Sequence, residues 1–203
     1  MSTCTHTDEE FLEHSFKDED LDEQLFTNCQ FTDCSFRTAN LQGAVLEHSV
    51  FTDCDLRAAR AGGATLKSCL FIRCALTDVR LSGATLSNCR FIECDLRGAQ
   101  LNSAEISGGD FSHCDLSGQD LEGAKFKGVK FASADLRQVL FMKADLRDAV
   151  FDRALMAGTS MRNADLRGAS FENVDLRTID LKGAKVDLSL AIHFARCHEL
   201  KVE

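Results

Sequence analysis

The 203-residue chain contains no proline, no tryptophan and no tyrosine. It has no run of eighteen apolar residues, and no basic-then-apolar leader precedes Glu10. These absences argue against a membrane-spanning helix and a cleaved signal, so a soluble protein of the cytoplasm is expected. Bases are also scarce, with 23 Lys and Arg against 32 Asp and Glu and a net charge of −9. Direct binding to nucleic acid needs a face where bases outnumber acids, or exposed aromatics for stacking. Neither is expected here, because all but one of the 15 Phe residues fall in a single regular pattern. The sequence carries no nucleophile elbow, P-loop or dinucleotide fingerprint, and no enzymatic activity or cofactor is expected.

The pattern is a large apolar residue at every fifth position from Phe11 to Val186, 36 positions in one phase, of which 14 are Phe and 17 are Leu. A period of five matches neither helix nor strand, so the chain must turn at regular intervals and return one residue to a common axis. A second period of twenty is marked by the unbroken series Phe11, Phe31, Phe51, Phe71, Phe91, Phe111, Phe131, Phe151 and Phe171. Four five-residue sides per coil follow, and thus a solenoid of about nine coils, roughly 43 Å long at the spacing of paired strands.

The position two before each centre is small nearly everywhere, as Ala44, Ala64, Cys54 and Cys74 illustrate, and should also point inward. Nine of the 10 Cys fall in that register and only Cys197 does not. They are expected to be free thiols packed as small hydrophobes in a reducing compartment. Eleven of the 13 Gly sit two after a centre, where a type II turn needs positive φ. Other turn types are expected after the Phe column, which has no Gly there.

Acidity is uneven. From Asp8 to Glu23 there are nine acids, including Asp18, Asp20, Asp22 and Glu23, against the single base Lys17. They read either as a solvated cap on the first coil or as a docking surface for a basic partner. Asp55, Asp95, Asp115 and Asp135 form an outward column, Asp120 belongs to the next, and Asp145 and Asp165 to another. Arginines flank the first column, so the rows read either as a self-compensating charge ladder or as carboxylates spaced like phosphates. Outward aliphatics gather at Val50, Leu70, Ile72 and Ile92, and again at Leu140, Met142, Val150 and Leu155. They suit a strand face or a contact surface.

After Val186 the register ends. Asp187 is placed to cap a helix carrying Leu188, Leu190, Ala191, Ile192, Phe194 and Ala195, and Glu199 to Glu203 reads as an extended tail with Leu200 and Val202. One apolar side would cover the last coil and the other a second copy, giving an end-to-end homodimer about 86 Å long. His193, Cys197 and His198 are the only candidate metal ligands here, too few for a site. The expected divisions are an N-terminal tail over 1–8, a repeat region over 9–186 and a C-terminal helix and tail over 187–203.

The repeats Ala39-Asn40-Leu41-Gln42-Gly43, Cys94-Asp95-Leu96-Arg97-Gly98 and Ala164-Asp165-Leu166-Arg167-Gly168 resemble the pentapeptide-repeat family's A(D/N)LxG pattern. That resemblance implies an all-β fold, a right-handed quadrilateral β-helix. The segment Ala184 to His198 is similar to the C-terminal helix of the Qnr/MfpA-type proteins. This second likeness implies a dimer that mimics DNA, binds DNA gyrase and possibly topoisomerase IV, and protects the enzyme from quinolones or peptide toxins, a form of antibiotic resistance. Qnr proteins of Gram-negative bacteria carry loops that project from the coil. The register here is uninterrupted, which points towards the loop-free, MfpA-like members.

Overall fold

A computed structural model describes residues 4–101 and 103–201. Eleven three-residue strands run in chain order: β1 (Thr5–Thr7), β2 (Glu10–Leu12), β3 (Leu25–Thr27), β4 (Gln30–Thr32), β5 (Val45–Glu47), β6 (Val50–Thr52), β7 (Thr65–Lys67), β8 (Leu70–Ile72), β9 (Thr85–Ser87), β10 (Arg90–Ile92) and β11 (Glu105–Ser107). Odd-numbered strands make one parallel sheet and even-numbered strands another, on adjacent sides of a square coil. Each pairing is offset by twenty residues, as in Phe11 to Phe31 and Phe51 to Phe71. The other two sides are joined by single parallel bridges such as Ser35 to Asp55 and Asn40 to Arg60. The period of twenty is therefore one turn of a four-sided β-helix.

The nine coils expected from the centres are not nine equal ones. Extended strands occupy about the first five turns, and beyond Ser107 all four sides are held only by bridges, ending at Asp165 to Lys185. The boundary at Glu9 also moves. Thr5–Thr7 pairs with Leu25–Thr27, and His6 stacks on Phe26 at 4.8 Å, so the coil already includes part of the expected tail.

The core follows the five-residue register. Phe31, Phe51, Phe71, Phe91 and Phe111 stack nearly parallel at 4.6–4.8 Å and are at most 1% exposed. The spacing opens to 5.7 Å between Phe111 and Phe131, where Phe126 and Phe141 replace Leu and meet Phe131 edge-on at 5.5 and 5.9 Å. Where a polar residue takes the small inward position, it bonds the backbone: Thr159 Oγ1 donates to the Leu136 carbonyl at 2.7 Å. Such pairing is what lets a hydroxyl be buried without a large cost.

Glycine does not decide the turn. The residue two after the centre has positive φ whether it is Gly98 (69°), Asp53 (54°), Arg73 (50°) or Asn163 (58°). The Phe column is no exception, because Glu13, Asp33 and Glu93 are also left-handed there. What changes along the rod is closure of the turn. Cys114, Ala134 and Ala154 donate N–H to the carbonyls of Phe111, Phe131 and Phe151 at 3.3, 3.1 and 2.9 Å, a bond that accompanies the change from strands to bridges.

All ten cysteines are free, and eight are buried. Cys4, though in the inward register, is exposed because it lies in the first coil. Cys94 sits between the thiols of Cys74 and Cys114; its contact with Cys114, together with burial, outweighs the opposing contact with Cys74 and holds its pKa up at about 12. A thiol so held is no nucleophile at neutral pH.

At the far end a single 3₁₀ turn, Leu176–Thr178, precedes helix α1 (Leu188–Cys197). Asp187 caps α1 by accepting from Leu190 N–H at 2.9 Å through Oδ1, and its Oδ2 accepts from Gly168 N–H at 2.8 Å, which ties the helix to the coil beneath. The tail beyond is not extended at its start. Glu199 takes φ 59°, and Leu200 N–H reaches back to the Ala195 carbonyl at 2.9 Å, closing the helix with a Schellman-type turn. Among the described residues no helix is long and apolar enough to cross a membrane.

Candidate functional site: the charged exterior and the two ends of the rod

On a strand, residues two apart share a face, so an Asp one before a centre and an Arg one after it meet outside the coil. Every such pair closes. Arg57 donates to Asp55 through Nε and Nη2 at 2.8 and 2.6 Å, Arg97 to Asp95 at 2.9 and 2.7 Å, and Arg167 to Asp165 at 2.8 and 2.6 Å. Arg137 holds Asp135, Arg147 holds Asp145 and Arg177 holds Asp175 in the same way. The carboxylate also accepts the arginine's own backbone N–H, as Asp95 does at 3.1 Å. Asp115 lies 3.5 Å from Arg97 Nε. The bond to Arg167 keeps the Asp165 carboxyl down at about 2, and the corresponding arginines lower Asp55, Asp95, Asp135, Asp145 and Asp175.

Six of the expected partner-binding carboxylates thus lie against guanidinium groups, Asp55, Asp95, Asp135, Asp145 and Asp165 each in its own pair and Asp115 sharing Arg97 with Asp95, so most of the ladder is locally compensated. The N-terminal set differs. Asp20 accepts from Asn40 Nδ2 at 2.7 Å, Asp18 accepts from the Thr38 hydroxyl and lies 3.9 Å from Lys17 Nζ, and Asp22 and Glu23 are exposed with no cation beside them among the described residues. Asp120, farther along, accepts the Glu122 N–H at 3.1 Å and meets no cation among the described residues. Uncompensated negative charge is therefore concentrated on the first two coils.

The aliphatic outward residues fall in register, Val50 beside Leu70 and Ile72 beside Ile92, on the even-numbered sheet. All four are half-buried. Leu12, on the same side of the first coil, is 70% exposed, and Leu155 farther along is 55% exposed. His6, an aromatic ring five residues before Phe11, extends the register into the first coil, and Leu12 joins the outward aliphatics there.

Of the residues expected at a homodimer contact, Leu188 and Leu200 are 76% and 60% exposed and Phe194 is 36% exposed. Ala191 is exposed, and Ile192 and Ala195 are half-buried. Leu190 is only 5% exposed and belongs to the core of its own rod, so it is withdrawn from that set. Val202 lies outside the described residues. A cleft of about 440 Å³, lined by Ile179, Leu181, Ala184, Val186 and Phe194 among others, opens between α1 and the last coil. His193 Nε2 is buried with no hydrogen-bond partner among the described residues, and His198 packs on Phe194 at 4.4 Å. Among the described residues no three His, Cys, Asp or Glu side chains come together as metal ligands.

The repeat profile described as "Pentapeptide repeat region" matches residues 64–138, and "Pentapeptide repeats (8 copies)" matches 20–53, 29–67 and 144–183. The chain belongs to the pentapeptide-repeat family. A search of curated proteins finds no significant match. Among solved structures this pentapeptide-repeat protein is similar to QnrB1, described as a plasmid-mediated fluoroquinolone resistance protein. One trypsin-treated variant of QnrB1 superposes with a TM-score of 0.88 at 22% identity, covering 98% of this chain and 100% of the other. A second trypsin-treated variant gives 0.80 at 22% identity with both chains fully covered. The full-length form gives 0.73 at 21% identity over 95% and 98%. At that identity the likeness establishes the fold.

Proposed function

We propose that this protein is a DNA-mimicking rod that binds a type II topoisomerase, with DNA gyrase the first candidate, and protects the enzyme from quinolones or toxins or modulates it. The observation that carries the reading is the concentration, on the first coils of a narrow rod, of carboxylates that no arginine holds: Asp20, Asp22 and Glu23 meet no cation among the described residues, and Asp18 meets Lys17 at 3.9 Å. Such a surface competes with DNA for a basic groove, drawn in by its field and weakened by salt. Likeness in fold, over 98% of this chain, to a protein described as conferring fluoroquinolone resistance supports the quinolone side of the reading. The role on this reading is binding rather than catalysis: the tube is filled by side chains, and among the described residues its repeated turns gather no convergent polar groups. Two rods join through Leu188, Phe194 and Leu200 at the α1 end, doubling the length presented to the enzyme. The deciding experiment is supercoiling by purified gyrase with increasing amounts of this protein, with and without a fluoroquinolone. The reading requires relief of drug inhibition or direct inhibition of supercoiling, and no effect in either arm contradicts it.

A second reading rests on Val50, Leu70, Ile72 and Ile92, which form a continuous aliphatic strip across neighbouring coils. It makes the protein a scaffold or regulatory module that docks a partner other than a topoisomerase by its sheet face. Serine at these four positions leaves a gyrase effect intact on the first reading and abolishes partner capture on the second.

A further inference from the structure

The two ends of the rod are finished differently. At the C-terminal end α1 lies over the last coil and buries Leu190. At the other end, among the described residues, nothing covers the first coil. Its backbone shows what is left over. One coil farther on, Gln30, Ser35 and Asn40 donate their N–H groups back to the carbonyls of Glu9, His14 and Glu19 at 2.9, 3.0 and 2.9 Å. Ser35 and Asn40 in turn accept from the N–H groups of Phe16 and Leu21, each at 2.7 Å. In the first coil the same places are held by Glu10, Ser15 and Asp20, whose N–H groups point away from the rod. Of the carbonyls beside them, the one at Asp20 is met by Gln24 Nε2 at 3.5 Å. The rest form an open β edge around the mouth of the tube, a template for another strand.

The side chains around that edge select what can pair with it. The small inward positions filled by Cys29, Cys34, Ala39 and Ala44 in the second coil hold Glu9, His14, Glu19 and Gln24 in the first. Beneath them Phe11 is half-buried, and outside them Leu12 stands 70% exposed. Two such edges repel each other, because nine acids face one base between Asp8 and Glu23. A neutral strand would desolvate Glu19 without a partner and leave Glu9 with the His6 imidazole alone, Nδ1 to Oε2 at 3.1 Å. A strand carrying Lys or Arg at alternate positions satisfies the backbone and the carboxylates together.

We infer that the N-terminal mouth is a docking edge for an extended basic segment of a partner chain, which pairs with β2 as an added strand. The inference concerns backbone pairing and holds whether or not the partner is a topoisomerase. The test uses the full chain and a synthetic probe, acetyl-(Lys-Val)₃-Lys-amide, compared with the same peptide N-methylated at every internal amide. The two carry equal charge, but only the first can donate to an edge. Expected are shifts of the Thr5–Leu12 amide resonances with the first peptide and at least about tenfold weaker binding of the second. Glu9→Gln and Glu19→Gln together should weaken the first peptide by a similar factor, with an unchanged melting curve showing that the coil is intact. Equal binding of the two peptides reduces the contact to ionic adsorption and overturns the inference. So does the absence of binding, or resonance shifts confined to other coils.

Discussion

Asp95 and Arg97 lie side by side on the outer face of one coil and share two hydrogen bonds, Nε to Oδ1 at 2.9 Å and Nη2 to Oδ2 at 2.7 Å. The same geometry recurs from Asp55 to Arg177, and it turns a row of carboxylates into a row of neutral pairs. A partner seeking negative charge finds little there, and finds it instead on the first two coils. The ion pairs are exposed, so each adds little to stability.

They do give stability a pH dependence. Each of these carboxyls has a lowered pKa in the folded rod because its arginine favours the charged form, and Asp165 reaches about 2. A depressed folded-state value means that the contribution is complete above the unfolded value, about 4. It is lost as pH falls from there towards 2. Thermal midpoints measured from pH 6 to pH 2 should decline below about pH 4. Replacing Arg57, Arg97, Arg137 and Arg167 by Gln should flatten that decline by lowering the midpoint at pH 7 by a matching amount, small for each exposed pair.

The Phe column carries the core. Phe91 stacks on Phe71 and Phe111 at 4.8 Å on both sides and is 1% exposed. Phe91→Ala should cost about 3–5 kcal/mol, measured as the shift in chemical denaturation. Because coils touch only their neighbours, exchange protection should fall most around coils four to six.

Thiol chemistry should report the packing. Cys4 is exposed and Cys197 half-buried, while the other eight are sealed in the tube. An aromatic disulfide reagent should titrate two thiols in the folded protein and the remaining eight only after denaturation. Rapid reaction of more than two would show a looser core than this one.

The two sides of α1 should separate in mutagenesis. Leu188→Asp, on the exposed side, should yield a monomer in gel filtration with an unchanged melting curve. Leu190→Ala should cost about 2–4 kcal/mol in the docking of the helix, because its side chain is buried on the rod.

Much of this was legible in the sequence. A large residue every fifth position dictates the coil, the Phe series fixes its four sides, and Asp187 announces α1. Other features were not. Arg73 and Asp53 adopt the same left-handed turn as Gly98, because ladder bonds to the adjacent coils impose a conformation that local preference opposes. The change of turn beyond Ser107 has a signature that is plain only with the structure in hand: the earlier strand-flanked turns carry Cys or Ser inward, as at Cys34, Ser49, Cys54 and Cys94, whose side chains bond the carbonyl two residues before, and the later ones mostly Ala or Val, as at Val129 and Ala134. Leu188 and Leu190 look alike in sequence, and only the angle at which the helix meets the last coil sends one to solvent and the other to the core. The placement of Arg beside Asp could be read, but the closure of every pair needed the geometry.

The most direct measurement of the central claim compares binding to purified gyrase at low salt for two charge variants. One replaces Asp18, Asp20 and Asp22 by Asn and Glu23 by Gln. The other replaces the Asp95–Arg97 and Asp135–Arg137 pairs by Asn and Gln, leaving net charge unchanged. The first should bind at least about tenfold more weakly and the second as the parent does. A parent-like affinity for the first variant, with the rod still folded, would contradict the account.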